Sequence, residues 1–488
     1  MRDQRPGPYR GGLRRAAKQV PGARPLVRWL RTLTARPTIA PSPSASEQAP
    51  RAAAPRHGGG PDDPRFKPDA PPAVLDAWQY LRGERVRSRH AETVARVRAR
   101  LADGAPLRIA FVVNERSKWS AGHLLTAFAA RGWDVSVALY RMERTGETLE
   151  QARQDHDDER AVFSALPATF IDTYDWESMT HRPVESLDAD VVFLQQPWRM
   201  ETFPERLVGR ALPAYVPYSV PLFDNMNMHD HIPGFHAYLW RRYVPTDPHR
   251  DLHLEADVFG YDRLRVVGYP KLDGYRGRSP SPADVTAWQH PGKPSARVIV
   301  APHHSVGATG IGLATFPWSH QALLDLADSY PNVAWLYKPH QRLRYALEQA
   351  RVMSGERYDE YEAQWRRRAN CAIYDGPHYL DLFRTSDALI TDSGSFLAEY
   401  LPSGEPILRL TSDRGIGFNP VGERLRESFY EVNTVARLQE TFRQVVIDGE
   451  DPLAEVRSRH AALFQPGART SSERIADDLE ASLTAAAD

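Results

Sequence analysis

Residues 388–410 read Ala388-Leu-Ile-Thr-Asp-Ser-Gly-Ser-Phe-Leu-Ala-Glu-Tyr-Leu-Pro-Ser-Gly-Glu-Pro-Ile-Leu-Arg-Leu410. An apolar run ends in a small polar loop, Asp392-Ser393-Gly394-Ser395. An apolar-periodic stretch containing Glu399 follows, then a turn at Ser403-Gly404 and a second apolar run from Pro406. This pattern predicts strand, loop, helix and strand in a parallel sheet. A loop of small residues that opens a helix offers N–H groups and hydroxyls to an anion, and the helix dipole favours negative charge there. An ordinary turn capped by Ser393 or Ser395 has the same composition, so the neighbouring loops decide between the two.

Two further loops point the same way. Val333-Ala-Trp-Leu-Tyr337 runs into Lys338-Pro339-His340, and Val298-Ile-Val-Ala301 runs into Pro302-His303-His304-Ser305. Each is a short buried-type strand ending in cationic or imidazole side chains. Ligands of open parallel sheets bind beyond the carboxyl ends of the strands, so these three ends are expected to converge on one crevice. Lys338 is a compact positive charge suited to phosphate.

The chain of 488 residues has room for about three domains and a formal net charge of zero. That balance speaks against a general nucleic-acid binder, and no nucleic-acid partner is expected. A single cysteine, Cys371, excludes an internal disulfide and fits a reducing compartment. No apolar run is long enough to span a membrane, and no secretory signal stands at the start. Residues 1–72 are rich in Pro, Arg, Ala and Gly and read as a disordered tail. The first 36 carry ten basic residues against one acid, Asp3. Leu26, Trp29, Leu30 and Leu33 alternate with Arg28 and Arg31 there, a composition that can lie on an anionic membrane surface. Peripheral contact of a cytoplasmic protein with the inner membrane face is therefore one expectation, and a merely solvated basic tail is the other.

Val74–Leu101 shows helical periodicity and reads as a lead-in helix, with Gly83 a candidate break. Arg108 opens a first folded domain. Ile109-Ala-Phe-Val-Val113 is a buried strand, Asn114–Ser120 its polar loop, Ala121–Ala130 a helix, and Trp133–Tyr140 the next strand. The crossover is expected to be right-handed. Two more strand ends precede Gln195-Gln196-Pro197-Trp198 and Pro217-Tyr218-Ser219. Asn114, Arg116, Lys118, Gln195, Gln196 and Trp198 are thus expected to face a cleft, as acceptor-binding or loop-packing groups. Residues 221–264 read as irregular. His229, His231, His236 and His249 lie there, but His229-Asp-His231 lacks the spacing of a zinc box, and neither metal nor cofactor is expected. Gly277–Ala296 reads as a linker into a second domain, 297–465. Within it, Tyr345–Arg368 reads as one long charged helix. Ser471–Ala487 reads as a closing helix capped by Ser471 or Ser472.

The expected architecture is therefore α/β: two Rossmann-like parallel-sheet domains (104–275 and 297–465) facing a cleft, as in GT-B glycosyltransferases. Tyr337-Lys338-Pro339-His340, Leu389-Ile-Thr391-Asp392 with Ser395, and Gly404-Glu-Pro406-Ile407 resemble the hallmark stretches of CDP-glycerol glycerophosphotransferases, which extend wall teichoic acid and related polymers. Phe111–Trp119, Gln195–Trp198 and Pro302–Ser305 are more similar to a capsule-cluster branch of that superfamily. The resemblance spans about 105–435. It implies that Lys338, His340, Gly394 and Ser395 hold the donor's pyrophosphate, and that Glu399 meets the nucleotide side. Two departures are visible. Gly394 stands where the family has a serine, so Ser393 or a backbone amide would have to replace its hydroxyl. The family's Trp-His-Gly-Thr stretch, whose His is the proposed base, has no counterpart; Tyr215–Ser219 occupies the corresponding place. His303, His304, or one of His229, His231 and His236 would substitute.

Attack on a donor pyrophosphate builds charge on the phosphoryl oxygens and on the leaving nucleotide, and positioned cations and donors stabilise both. The expected function is transfer of glycerophosphate or a related group from a nucleotide-activated donor to a polymer or lipid-linked acceptor. A nucleotide-sugar glycosyltransferase would use the same parts. Thr391-Asp-Ser-Gly394 with Glu399 also resembles the uridine-binding stretch of UDP-N-acetylglucosamine 2-epimerases. An inactive relative that only binds a wall-assembly partner is the non-enzymatic alternative.

Overall fold

The computed structural model describes residues 72–484, apart from 144–146, 225–232, 255–262, 278–279, 281–284, 308–310, 377–378 and 465–466. The basic tail, His229 and His231 therefore lie outside the described residues. Helix α1, Pro72–Ala102, runs unbroken through Gly83. Val86, His90, Thr93 and Val97 are all buried. Their spacing of i, i+4, i+7 and i+11 places them in one stripe, and His90 Nε2 meets the carbonyl of Tyr238 at 3.0 Å.

Seven parallel strands form the first sheet: β1 Arg108–Val113, β2 Asp134–Leu139, β3 Thr169–Asp172, β6 Val191–Leu194, β7 Leu212–Tyr215, β8 Arg241–Val244 and β9 Leu264–Val266. A two-stranded hairpin, β4 Tyr174–Asp175 with β5 Thr180–His181, lies between β3 and β6 in the chain. The strand order is β3-β2-β1-β6-β7-β8-β9. Helices α2, Gly122–Ala129, and α3, Leu149–Ser164, make the first crossovers. All four side chains of β6 and of β7 are buried, which is why these strands read as continuous apolar runs rather than alternating ones.

The second sheet comprises β10 Ala296–Ala301, β11 Val333–Tyr337, β12 Cys371–Ile373, β13 Ala388–Thr391, β14 Ile407–Leu410 and β15 Tyr430–Val432. Its order is β12-β11-β10-β13-β14-β15, again all parallel. In both sheets the chain first winds one way and then restarts on the other side of its first strand. The reversal falls between β1 and β6 in one sheet and between β10 and β13 in the other. Those reversal points are where ligand crevices form in doubly wound folds. The two domains are Rossmann-like and the arrangement is GT-B-like.

Several local expectations are revised. Residues 221–264 are not irregular throughout, since they hold β8 and a helix at Asp247–Leu254. Tyr345–Arg368 is two helices, Leu343–Gln349 and Gly355–Arg367. The break falls at Arg351, whose φ of 55° ends the first, and Ser354 caps the second by accepting from Arg357 N. The last helix, α4, Ser471–Thr484, is capped by Thr470 rather than by a serine. Thr470 Oγ1 accepts from Glu473 N, and the Glu473 carboxylate accepts from Thr470 N, a capping box. The Ser471 and Ser472 amides instead donate to Asp273, each at 2.8 Å. This helix returns to the first domain, where Ile475, Leu479 and Leu483 complete the core beneath β1 and α2. Burying each such side chain contributes about 1.5–3 kcal/mol. Asp478 fixes the docking through Arg265, Arg241 and the Tyr243 hydroxyl.

A separate core joins the two sheets. Val220, Leu222, Phe223, Tyr269 and Leu272 pack with Leu313, Leu397, Phe418 and Val421. Phe223 pairs with Phe418 as an antiparallel bridge, and Asp224 N donates to Gly417 O at 3.1 Å.

Candidate functional site

Because β11, β10 and β13 are neighbours, their carboxyl ends bring the three loops together. His303 and His304 follow β10, Lys338 and His340 follow β11, and Asp392–Ser395 follow β13. The His304 ring stacks on His340 with centroids 3.9 Å apart, and His303 lies 4.4 Å from His304. Burial, then the His304 imidazole and Arg342, pushes His340 down to about 3. Burial and Arg342 push His304 down to about 4, and burial holds His303 well below the usual range. All three are neutral near pH 7.

Their hydrogen bonds separate their roles. The Ser305 amide donates to His303 Nδ1 at 3.2 Å, and the Arg342 amide donates to His340 Nδ1 at 3.1 Å. A neutral imidazole that accepts at Nδ1 carries its proton on Nε2. His303 and His340 are thus N–H donors at Nε2. His304 differs: its Nδ1 is buried and has no hydrogen-bond partner among the described residues.

Lys338 is buried, with its ammonium 3.0 Å from the Gly376 carbonyl and over the rings of Tyr374 and Tyr379. Burial pushes it down from its ordinary 10.5 to about 8. Lys271 adds repulsion, which Asp375 and Glu399 partly offset. Lys271 comes from the segment Pro270–Arg276 that follows β9, outside the second sheet. Its ammonium lies 3.2 Å from Glu399 Oε1, and it also donates to the Tyr379 hydroxyl, which donates to the other carboxylate oxygen of Glu399. Glu399 is 1% exposed. The sequence reading missed Lys271 and Tyr379, which stand five residues past β9 and six past β12; nothing short of the fold places them beside Lys338.

The loop after β13 opens a short helix, Gly394–Tyr400. Ser393 N donates to Thr391 Oγ1 at 3.0 Å, and Ser395 is half-buried in the first turn. Asp392 turns inward. Its carboxylate accepts from His303 N, Thr315 N and the Thr315 hydroxyl. Burial raises it to about 6 against those bonds. It shapes the β10 and β13 loops rather than facing the crevice. Gly394 has a steric reason. A Cβ built there would stand 2.6 Å from Phe223 Cε2, so the ring supplied by the first domain excludes a serine at this position.

In the first domain, Lys118 lies 3.0 Å from Glu115 Oε2 and over the rings of Trp198 and Tyr218. Glu115 also reaches Arg342 of the second domain at 3.1 Å. This links the loop after β1 to the segment that carries His340. Asn114 is buried at the end of β1. Arg116 points away toward α3, where it faces Asp158 and Glu159. Gln195 is spent on the loop, accepting from Ser120 N and Oγ at 3.0 and 2.9 Å. Gln196 donates to the Trp198 carbonyl. His236 packs edge-on against Tyr215, and His249 bonds Thr246 and the Pro221 carbonyl. Among the described residues, no group of three or more His, Cys, Asp or Glu side chains is placed to hold a metal.

A scan against protein-family models finds no match, and a search of curated proteins finds none either. Among solved structures the chain is similar to a protein from Listeria monocytogenes described as a UDP-N-acetylglucosamine 2-epimerase, at 14% identity and a TM-score of 0.51, over 77% of this chain and 96% of that one. A second structure with the same description aligns at 13% identity and a TM-score of 0.50, over 77% and 96%. The wall teichoic acid polymerase TagF aligns at 13% identity and a TM-score of 0.49, over 84% and 98%. At such identities the first two likenesses speak for the fold.

Proposed function

We propose that this chain is a transferase that binds a nucleotide-diphosphate donor in the crevice of the second domain and passes the activated group to a hydroxyl held by the first. CDP-glycerol is the leading donor, and a cell-wall or capsule polymer, or a lipid-linked precursor, is the acceptor. One observation carries the reading. Lys338, buried, and Lys271, half-buried and paired with Glu399, come from different segments and lie close enough for Lys271 to repel Lys338. Like charges there are costly, and a bound diphosphate relieves the cost. The Nε2–H groups of His303 and His340 are donors for its oxygens. The resemblance of Lys338-Pro-His340 and Asp392–Ser395 to the glycerophosphotransferase stretches supports the same assignment.

In this reading an acceptor oxygen attacks the phosphorus that bears glycerol. The P–O bond to the nucleotide breaks, CMP leaves with the bridging oxygen, and His304 takes the acceptor proton. Lys338 and Lys271 stabilise the charge that grows on the leaving phosphate. The basic composition of residues 1–36 supports work beside an anionic membrane. The described residues contain no helix long and apolar enough to cross one.

Thermal shift of the full chain with CDP-glycerol, CMP, UDP-N-acetylglucosamine and UDP tests this, since a ligand of the native state stabilises it by mass action. A cytidine-specific shift lost in Lys338→Ala is expected. A uridine-specific shift would replace the reading by a sugar transferase or an epimerase-like isomerase, and no shift with any nucleotide would favour a non-enzymatic binding role.

A further inference from the structure

Glu115 stands in the loop after β1 and is 7% exposed. Its carboxylate is shared between two cations. Oε2 lies 3.0 Å from the Lys118 ammonium of the same loop, and Oε1 lies 3.1 Å from the Arg342 guanidinium of the second domain. A carboxylate so nearly buried needs its partners, because removing one leaves charge uncompensated. The Arg342 side chain is 45% exposed and would lose little in water. The pair thus serves the carboxylate more than the guanidinium, and its consequence is that Arg342 is held. Glu115 is braced in turn, since Lys118 lies over the rings of Trp198 and Tyr218 in the loops after β6 and β7.

Arg342 is held where its backbone matters. It precedes the helix Leu343–Gln349, whose start has no side-chain cap. Residues 340–343 make a tight turn: Leu343 N donates to the His340 carbonyl at 2.8 Å, and His340 N donates to the Pro302 carbonyl at 3.1 Å. Within that turn the Arg342 amide donates to His340 Nδ1 at 3.1 Å, the bond that leaves the ring proton on Nε2. Without that amide a neutral imidazole can carry its proton on either nitrogen. With the proton on Nδ1, Nε2 would turn a lone pair instead of a donor toward the oxygens of a phosphate.

We propose that Glu115 is a positioning residue: by gripping Arg342 from the first domain it fixes the turn at 340–343, keeps the His340 proton on Nε2, and makes donor binding by the second domain depend on how the first is seated. The proposal rests on the transferase reading for the ligand that His340 meets; the tautomer is independent of that reading.

The test uses full-length protein labelled with ¹⁵N in its histidines. The His340 signals are assigned by their loss in His340→Gln, and their ¹⁵N shifts tell which ring nitrogen is protonated. Wild type is expected to show the proton on Nε2. Arg342→Met removes a half-exposed head group and leaves Glu115 its bond to Lys118; Glu115→Met keeps the length and removes both oxygens. Each is expected to move His340 toward a mixture of the two tautomers and to weaken CDP-glycerol binding, read by thermal shift, about tenfold. The double variant should lose no more than either single one, since all three break the same link. A joint that merely holds the domains together would lower the melting temperature and leave the tautomer as in wild type. That result in Arg342→Met would overturn the proposal, as would losses of nucleotide affinity that add in the double variant. Arg342→Met decides the question even where Glu115→Met does not fold. If wild type binds no nucleotide, the donor reading fails, and the His340 tautomer still decides the role of Glu115.

Discussion

Replacing Lys338 by Met should make the protein more stable and less able to bind its donor. The ammonium is held at about 8 instead of 10.5, chiefly by burial. At about 1.4 kcal/mol per pH unit, that displacement is a cost of roughly 3 kcal/mol for keeping the charged form in the folded state. The sign follows from linkage. Below pH 8 the lysine is charged whether the chain is folded or not, and the cost is fully present. Between pH 8 and 10.5 the folded form has lost its proton and the unfolded form has not, so the cost fades. Above 10.5 it is gone. Methionine keeps most of the stem packing between Tyr374 and Tyr379 but forgoes the bond to the Gly376 carbonyl, so a net gain of about 1–2 kcal/mol at pH 7 is expected. Urea unfolding of both proteins at pH 7 and pH 10 measures the difference, which should shrink at the higher pH. In parallel, stabilisation by CDP-glycerol should fall by about 1.5–3 kcal/mol, the worth of a bond to a charged group. A variant less stable than wild type at pH 7, or one with undiminished nucleotide stabilisation, would refute the account of Lys338 as a strained cation kept for an anion.

Other outcomes follow from single contacts. Gly394→Ala should lose about 1–3 kcal/mol in urea unfolding, because its Cβ overlaps a Phe223 ring already stacked on Phe418. The loss should largely vanish in a Phe223→Leu background, and an equal loss in both backgrounds would sink the steric explanation. Asp273→Ala removes two buried bonds to the start of the last helix and should cost about 1–2 kcal/mol or more by thermal unfolding; an unchanged melting temperature would show that Thr470 alone suffices as cap. His304→Phe keeps the stacking on His340 and removes the nitrogen. Turnover of CDP-glycerol, followed as CMP release, should drop by about 10²–10⁴ while the nucleotide thermal shift persists, and wild-type turnover would exclude His304 as the base.

The primary sequence determined the sheets and the loops that end them. Strands buried on both faces must be apolar throughout, so Ile109–Val113, Val191–Leu194, Val298–Ala301 and Val333–Tyr337 are visible as runs, and the polar residues that follow them mark the crevice. Those signals are local, which is why the sequence carries them. It misjudged what depends on one residue's backbone, such as the break at Arg351 and the choice of Thr470 over Ser471 as cap. Two things waited for the tertiary structure. Lys271 joins Lys338 only because the segment after β9 crosses to the second domain. Phe223 decides that position 394 is glycine by filling its side-chain space from the first domain. Each brings together residues 67 or more positions apart along the chain, set by packing, and no periodicity or motif within a single segment encodes it.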